Sequence, residues 1–98
     1  MPLFVLIGRD GSDGLALRRR HREAHLANLQ PLDDAGQVRF AGPIRTTAGD
    51  PCGSVVVFEA TDLATAQAFA KTDPYVVEGI FASVEVWETL QVFAKEAT

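Results

Sequence analysis

A four-stranded antiparallel sheet with two helices on one face, in the chain order β-α-β-β-α-β, is the α+β fold that this sequence predicts. Three observations predict it. Short apolar runs rich in β-branched residues, Leu3 to Ile7 and Val55 to Phe58, read as buried strands. Two stretches with apolar residues at helical spacing begin near Leu15 and Leu63. Clusters of Gly, Ser, Asp and Pro punctuate the chain between them. The order is that of the ferredoxin-like split βαβ arrangement, and it fills residues 1–98 as one domain with no repeat or linker.

Each element has its own justification. The first strand, Leu3–Ile7, is stopped by Gly8. Gly11-Ser12-Asp13-Gly14 forms a turn in which Ser12 or Asp13 caps a helix from about Leu15 to Asp33 or Asp34, ahead of Gly36. Leu15, Leu26, Leu29 and Leu32 make its apolar stripe, with Ala24 and His25 at the edge. Pro31 should kink this helix or end its regular hydrogen bonding early. Val38, Phe40 and Gly42 alternate with Arg39 and Ala41 as a second strand leading into Pro43-Ile44. Thr46 to Gly53 reads as a hairpin loop, and Ser54 to Ala60 as a central strand. Thr61 or Asp62 caps a second helix that Asp73-Pro74 ends, and Tyr75 to Gly79 is a helical turn. Phe81, Ser83, Glu85 and Trp87 alternate against Ala82, Val84 and Val86 as the last strand, and Leu90 to Phe93 extends it as an arm.

Composition narrows the function classes. A formal net charge of -4 argues against nucleic-acid binding, which needs a basic patch to neutralise phosphates. The run Arg18-Arg19-Arg20 points in three directions around a helix and reads as a solvated face rather than an anion site. Leu3–Ile7 is too short and lacks the basic flank of a signal peptide, and no stretch is long enough to span a bilayer; the cytoplasm is expected. Cys52 has no partner for a disulfide or metal pair, and no neighbouring base to make it a nucleophile.

The strands are apolar on both faces: Phe4 and Leu6 on one, Leu3, Val5 and Ile7 on the other; Val56 and Phe58 against Val55 and Val57. Helices cover only one face. The other would be a large apolar patch, which a second copy packed face to face would bury. A homodimer is expected, open to higher assembly, with Trp87, Leu90, Val92 and Phe93 as an arm over the partner.

His25 sits one turn from His21 and one turn from Leu29, with Arg18 and Arg22 flanking that edge. The predicted fold places Asp73, at the C-terminal end of the second helix, beside the first helix. Imidazole titrates near neutrality and a carboxylate fixes its tautomer, so the couple suits proton transfer. The bland alternatives are a helix-edge histidine bonded to water or a carbonyl, and an Asp-Pro that merely caps the following turn. Tyr75 and Phe81 read as core, and His21 as solvent-facing. His21 and His25 lack the third ligand of a metal site. Gly42 and Pro43 would let a loop approach a ligand closely.

The segments Arg22 to Gln30 (REAHLANLQ), Asp34-Ala35-Gly36, Ala41-Gly42-Pro43, Gly53-Ser54-Val55-Val56 and Asp73-Pro74-Tyr75-Val76 through Gly79 resemble, in order, the signatures of the YciI-like (YCII-related) family. The resemblance implies a dimeric α/β barrel built on ferredoxin-like protomers. It also implies a site of one histidine and one aspartate, which fall on His25 and Asp73. The loop after Gly42-Pro43 looks shorter than in many relatives. The mechanism that fits is cofactor-free general acid-base chemistry on a small molecule: isomerisation, elimination such as dehydrochlorination, or lactone rearrangement. Arg22, or Arg18, would bind a carboxylate or phenolate, with Gly42, Pro43 and Tyr75 also in contact with substrate. No nucleotide fingerprint or phosphate loop points to a cofactor. The alternative is a non-catalytic module that binds a small ligand or serves as a dimeric accessory partner.

Overall fold

The computed structural model describes residues 1–94. Its elements are β1 (Leu3–Asp10), α1 (Gly14–Asp34), β2 (Val38–Arg45), β3 (Pro51–Glu59), α2 (Leu63–Ala70), α3 (Pro74–Val77) and β4 (Phe81–Thr89). The strands form one antiparallel sheet in the order β2-β3-β1-β4. This is the α+β fold expected, with the most apolar strands at its centre.

Strict alternation divides the central strands. Phe4, Leu6, Val56 and Phe58 are buried beneath the helices, with Leu29, Ala66 and Ala70 packed on them. Leu3, Val5, Ile7, Val55 and Val57 lie half-buried on the opposite face. There the register aligns Phe40, Val57, Val5 and Trp87 in one row across all four strands. Phe40 and Trp87, at its two ends, are 57% and 60% exposed.

The helix ends follow local chemistry. Asp62 accepts from the Thr65 N–H at 2.8 Å and caps α2. α1 runs through Pro31 to Asp34 and then closes in a Schellman motif: Gly36 (φ 72°) donates to Asp33 and Gln37 to Leu32, both at 2.9 Å. Asp13 holds the cap position of α1 but makes no side-chain cap bond, contrary to expectation.

Four further expectations are corrected. β3 starts at Pro51, so Cys52 and Gly53 belong to the strand and the hairpin loop is only residues 46–50. α2 ends at Ala70, three residues before Asp73, which caps α3 instead. Leu15 and Leu26 are 44% and 43% exposed, while Arg18, His25 and Leu29 form the buried stripe of α1. A register shift between Arg9 and Asp10 pairs Asp10 with Phe81, turning Phe81 to the helix side, away from Trp87.

α1 packs over β3, and α2 over β1 and β4. The edge strand β2 therefore has no helix above it, and its inward residues Ala41 and Pro43 stay exposed. That uncovered strip becomes one wall of the site.

Candidate active site

Two turns of α1 separate Arg18 from His25 on the buried stripe, and α3 packs alongside. Asp73 stands at the start of α3 because Pro74 follows it: the residue before proline is driven out of the helical region, here to φ -64° and ψ 125°. Its Oδ1 accepts from the Tyr75 N–H at 2.8 Å. The same oxygen lies 2.8 Å from His25 Nδ1. Asp73 is 1% exposed, so the contact is sheltered from water. The capping role and the histidine contact are thus one arrangement.

A carboxylate only accepts hydrogen bonds, so Nδ1 carries a hydrogen, and in the neutral ring that leaves the lone pair on Nε2. Among the described residues no group bonds Nε2, and no buried side-chain nitrogen or oxygen lacks a partner. Nε2 therefore reaches open space. His25 also lines a cavity of about 420 Å³ between α1 and the uncovered strip of β2.

The His25 ring is stacked on Tyr75 at 3.9 Å between centroids, with planes 2° apart. Arg18 lies over the same Tyr75 ring at 4.9 Å. His25 and Arg18 thus both lie against the Tyr75 ring. Phe81 meets Tyr75 edge-on at 5.8 Å. The Tyr75 hydroxyl donates to the Arg18 carbonyl at 3.4 Å. Burial holds the Tyr75 phenol above its ordinary range, against the lowering pull of the Arg18 and Arg22 charges.

Arg18 is not on a solvated face. Its Nε donates to Asp10 Oδ2 at 2.6 Å and its Nη2 to Asp10 Oδ1 at 2.8 Å, a two-pronged pair; Nη2 also donates to Ser54 Oγ at 3.0 Å. Burial works against the Arg18 charge, but the Asp10 hydrogen bonds and charge raise its pKa overall. Arg19 and Arg20 do face solvent.

The structure brings most of the expected residues together. Arg22, Gly42, Pro43 and Tyr75 line the cavity with His25, and Asp73 stands behind His25. Tyr75 belongs to the core and to the cavity wall at once. Gly42 and Pro43 lie on β2, not in a loop. A Cβ on Gly42 would come within 3.1 Å of the Phe40 ring, so the glycine makes room for that ring rather than for a ligand. His21 is half-buried, its Nε2 3.9 Å from Glu78 Oε2. Sequence reasoning missed Asp10 and Ser54 entirely. The usable signal was Arg18 at seven residues from His25, which places both on one stripe.

Comparison with known proteins follows the same lines. Residues 2–90 match the family model described as YCII-related domain. The chain is 40% identical over 97 residues to protein YciI of Escherichia coli, covering 93% of this chain and 99% of that one. It is 31% identical over 96 residues to an uncharacterized protein of Haemophilus influenzae, covering 92% and 98%. Among solved structures it is similar to 5-chloro-2-hydroxyhydroquinone dehydrochlorinase of Burkholderia phenoliruptrix in complex with 2,5-dihydroxybenzoquinone. That similarity has a TM-score of 0.80 at 29% identity and covers 87% of this chain and 90% of that one.

Proposed function

This chain belongs to the YCII-related family, and on the geometry of its cavity we propose that it is a cofactor-independent acid-base enzyme acting on a small organic molecule. The observation that carries the reading is His25, held through Nδ1 at 2.8 Å by buried Asp73 while its ring lines the cavity. His25 is the proton-transfer group. Asp73 fixes the tautomer that leaves Nε2 basic, and its charge stabilises the imidazolium formed when a proton is taken.

The reaction class is isomerisation or elimination. In an elimination, Nε2 removes a proton from substrate, the electron pair forms the new double bond, and the leaving group departs with its own pair. The dehydrochlorinase to which this chain is similar carries out such a reaction on a hydroxylated ring, and ring substrates of that kind fit a cavity of about 420 Å³. Arg22 at the mouth draws in an anionic substrate, while Tyr75 and the Gly42-Pro43 strip shape the walls.

We place residues 1–98 as one functional domain in the cytoplasm, acting as a homodimer joined through the outer sheet face. Among the described residues no helix is long and apolar enough to cross a membrane.

A panel of chlorinated and hydroxylated aromatic rings and small lactones, assayed by product formation, tests the reading. Turnover should fall by roughly 10²–10⁴ in His25→Gln, and Asp73→Asn should also lower it. Full activity of His25→Gln would overturn the mechanism. Binding without turnover across the panel would favour the ligand-binding module instead.

A further inference from the structure

We propose that Arg18 and Ser54 form an oxyanion seat in the cavity that His25 also lines, so that the ligand is an anionic six-membered ring bridging the seat and His25. The proposal deepens the acid-base reading above and rests on it for the role of His25.

Arg18 and Ser54 both line the cavity. The Arg18 side chain is 9% exposed, and three of its N–H groups are accounted for, two on Asp10 and one on Ser54. Nη1 has no partner among the described residues. Because no buried side-chain nitrogen lacks one, Nη1 reaches open space, and the cavity is what Arg18 borders. Ser54 accepts from Nη2, which leaves its own hydroxyl hydrogen free to donate to a ligand. The seat thus offers two Nη1 hydrogens and one hydroxyl.

These donors are preorganised. Asp10 grips the fork, the Tyr75 ring lies against its flat face at 4.9 Å, and Phe81 stands at 5.8 Å. Donors fixed in advance in a sheltered site bind an oxyanion without the ordering that exposed arginines would need. Arg19 and Arg22 are exposed, line the outer part of the cavity, and supply the excess positive charge that Arg18, neutralised by Asp10, does not.

Spacing sets the ligand. His25 and Arg18 lie against the Tyr75 ring at 3.9 Å and 4.9 Å from its centroid, and all three border the cavity. A six-membered ring with an oxyanion at one end, plus a hydrogen bond at each end, meets both His25 and Arg18. The oxyanion would sit on Arg18 Nη1 and Ser54, and the proton to be moved would lie at the far end, against His25 Nε2.

The test uses benzoate as the anionic ring and benzamide as its neutral counterpart, followed by NMR of the arginine side-chain N–H groups and the His25 ring. Benzoate should bind at least about tenfold more tightly than benzamide, as expected for a charge-assisted contact. It should shift the Arg18 guanidinium and His25 signals together. Ser54→Ala leaves the Arg18–Asp10 pair in place and should weaken benzoate by about three- to tenfold. Arg18→Lys, which keeps the charge but loses the fork, should also lose the preference, and Ser54→Ala serves should that variant fail to fold. Equal binding of the two probes, no binding of either, or shifts confined to Arg19 and Arg22 would each overturn the seat. The tautomer of His25 in the ligand-free protein tests the acid-base reading separately, so either can fail alone.

Discussion

Tyr75 is the only tyrosine in the chain, so a phenolate titration followed by ultraviolet absorbance reports on the centre of the site without interference. Burial favours its neutral form when the protein is folded. The phenol should therefore ionise above the ordinary value of about 10 in the native protein and return to it in urea. Its raised native pKa adds stability below the unfolded value, and that stability is lost as pH rises through the folded one. Alkaline unfolding should shift accordingly in Tyr75→Phe. An ordinary titration in the folded state would mean that Tyr75 is not enclosed as described. His25 and Asp73 were legible as candidates because histidine on a helix edge and Asp-Pro after a helix are distinctive locally. Arg18 was not: in a run of three arginines, local pattern cannot say which one meets a carboxylate eight residues earlier and a serine 36 residues later.

The first helix carries the site because its start is pressed against the end of β1. Gly14 permits this: a Cβ there would stand 2.5 Å from Asp10 Oδ2 and 2.7 Å from Asp10 Cβ. Gly8 does the same for Phe81, whose ring would lie 2.5 Å from an added Cβ. Alanine inside a helix gains up to about 1 kcal/mol over glycine. The clash at Gly14 opposes that gain, because the Asp10 carboxylate is held by two bonds to Arg18 and cannot give way. Gly14→Ala should destabilise by about 1–3 kcal/mol, several degrees in Tm. An unchanged or raised Tm would show that helical propensity wins and that the contact is soft. At this scale the sequence placed each element but missed where β3 starts and α2 ends. Pro51 and Gly53 look like loop residues, yet Pro51 begins a strand, where proline is tolerated, and Gly53 faces the Gly8 carbonyl at a distance that leaves no room for a side chain.

Among the described residues nothing covers the sheet face opposite the helices. The row of Phe40, Val57, Val5 and Trp87 crosses the full sheet opposite the helices, continued by Leu3, Ile7 and Val55. Wild-type protein should sediment at twice the chain mass. Trp87→Glu, a substitution at an exposed position that leaves the helical side intact, should shift it toward the monomer. A wild-type monomer at high micromolar concentration would contradict the face-to-face pairing. Topology was readable at this scale because central strands declare themselves by β-branched runs, and short turns dictate their neighbours. The cavity was not readable. It exists because β2 extends beyond the reach of α1, and no residue pattern records what a helix leaves uncovered.

The central claim is that Asp73 holds neutral His25 with its hydrogen on Nδ1, Nε2 bare and the ring lining the cavity. Nitrogen-15 NMR of the His25 ring, correlated to its carbon-bound hydrogens above its titration range, reads that directly. The account predicts the Nδ1–H tautomer in the wild type and its loss, or mixture with the Nε2–H form, in Asp73→Asn. An Nε2–H ring in the wild type, unchanged in Asp73→Asn, would contradict it.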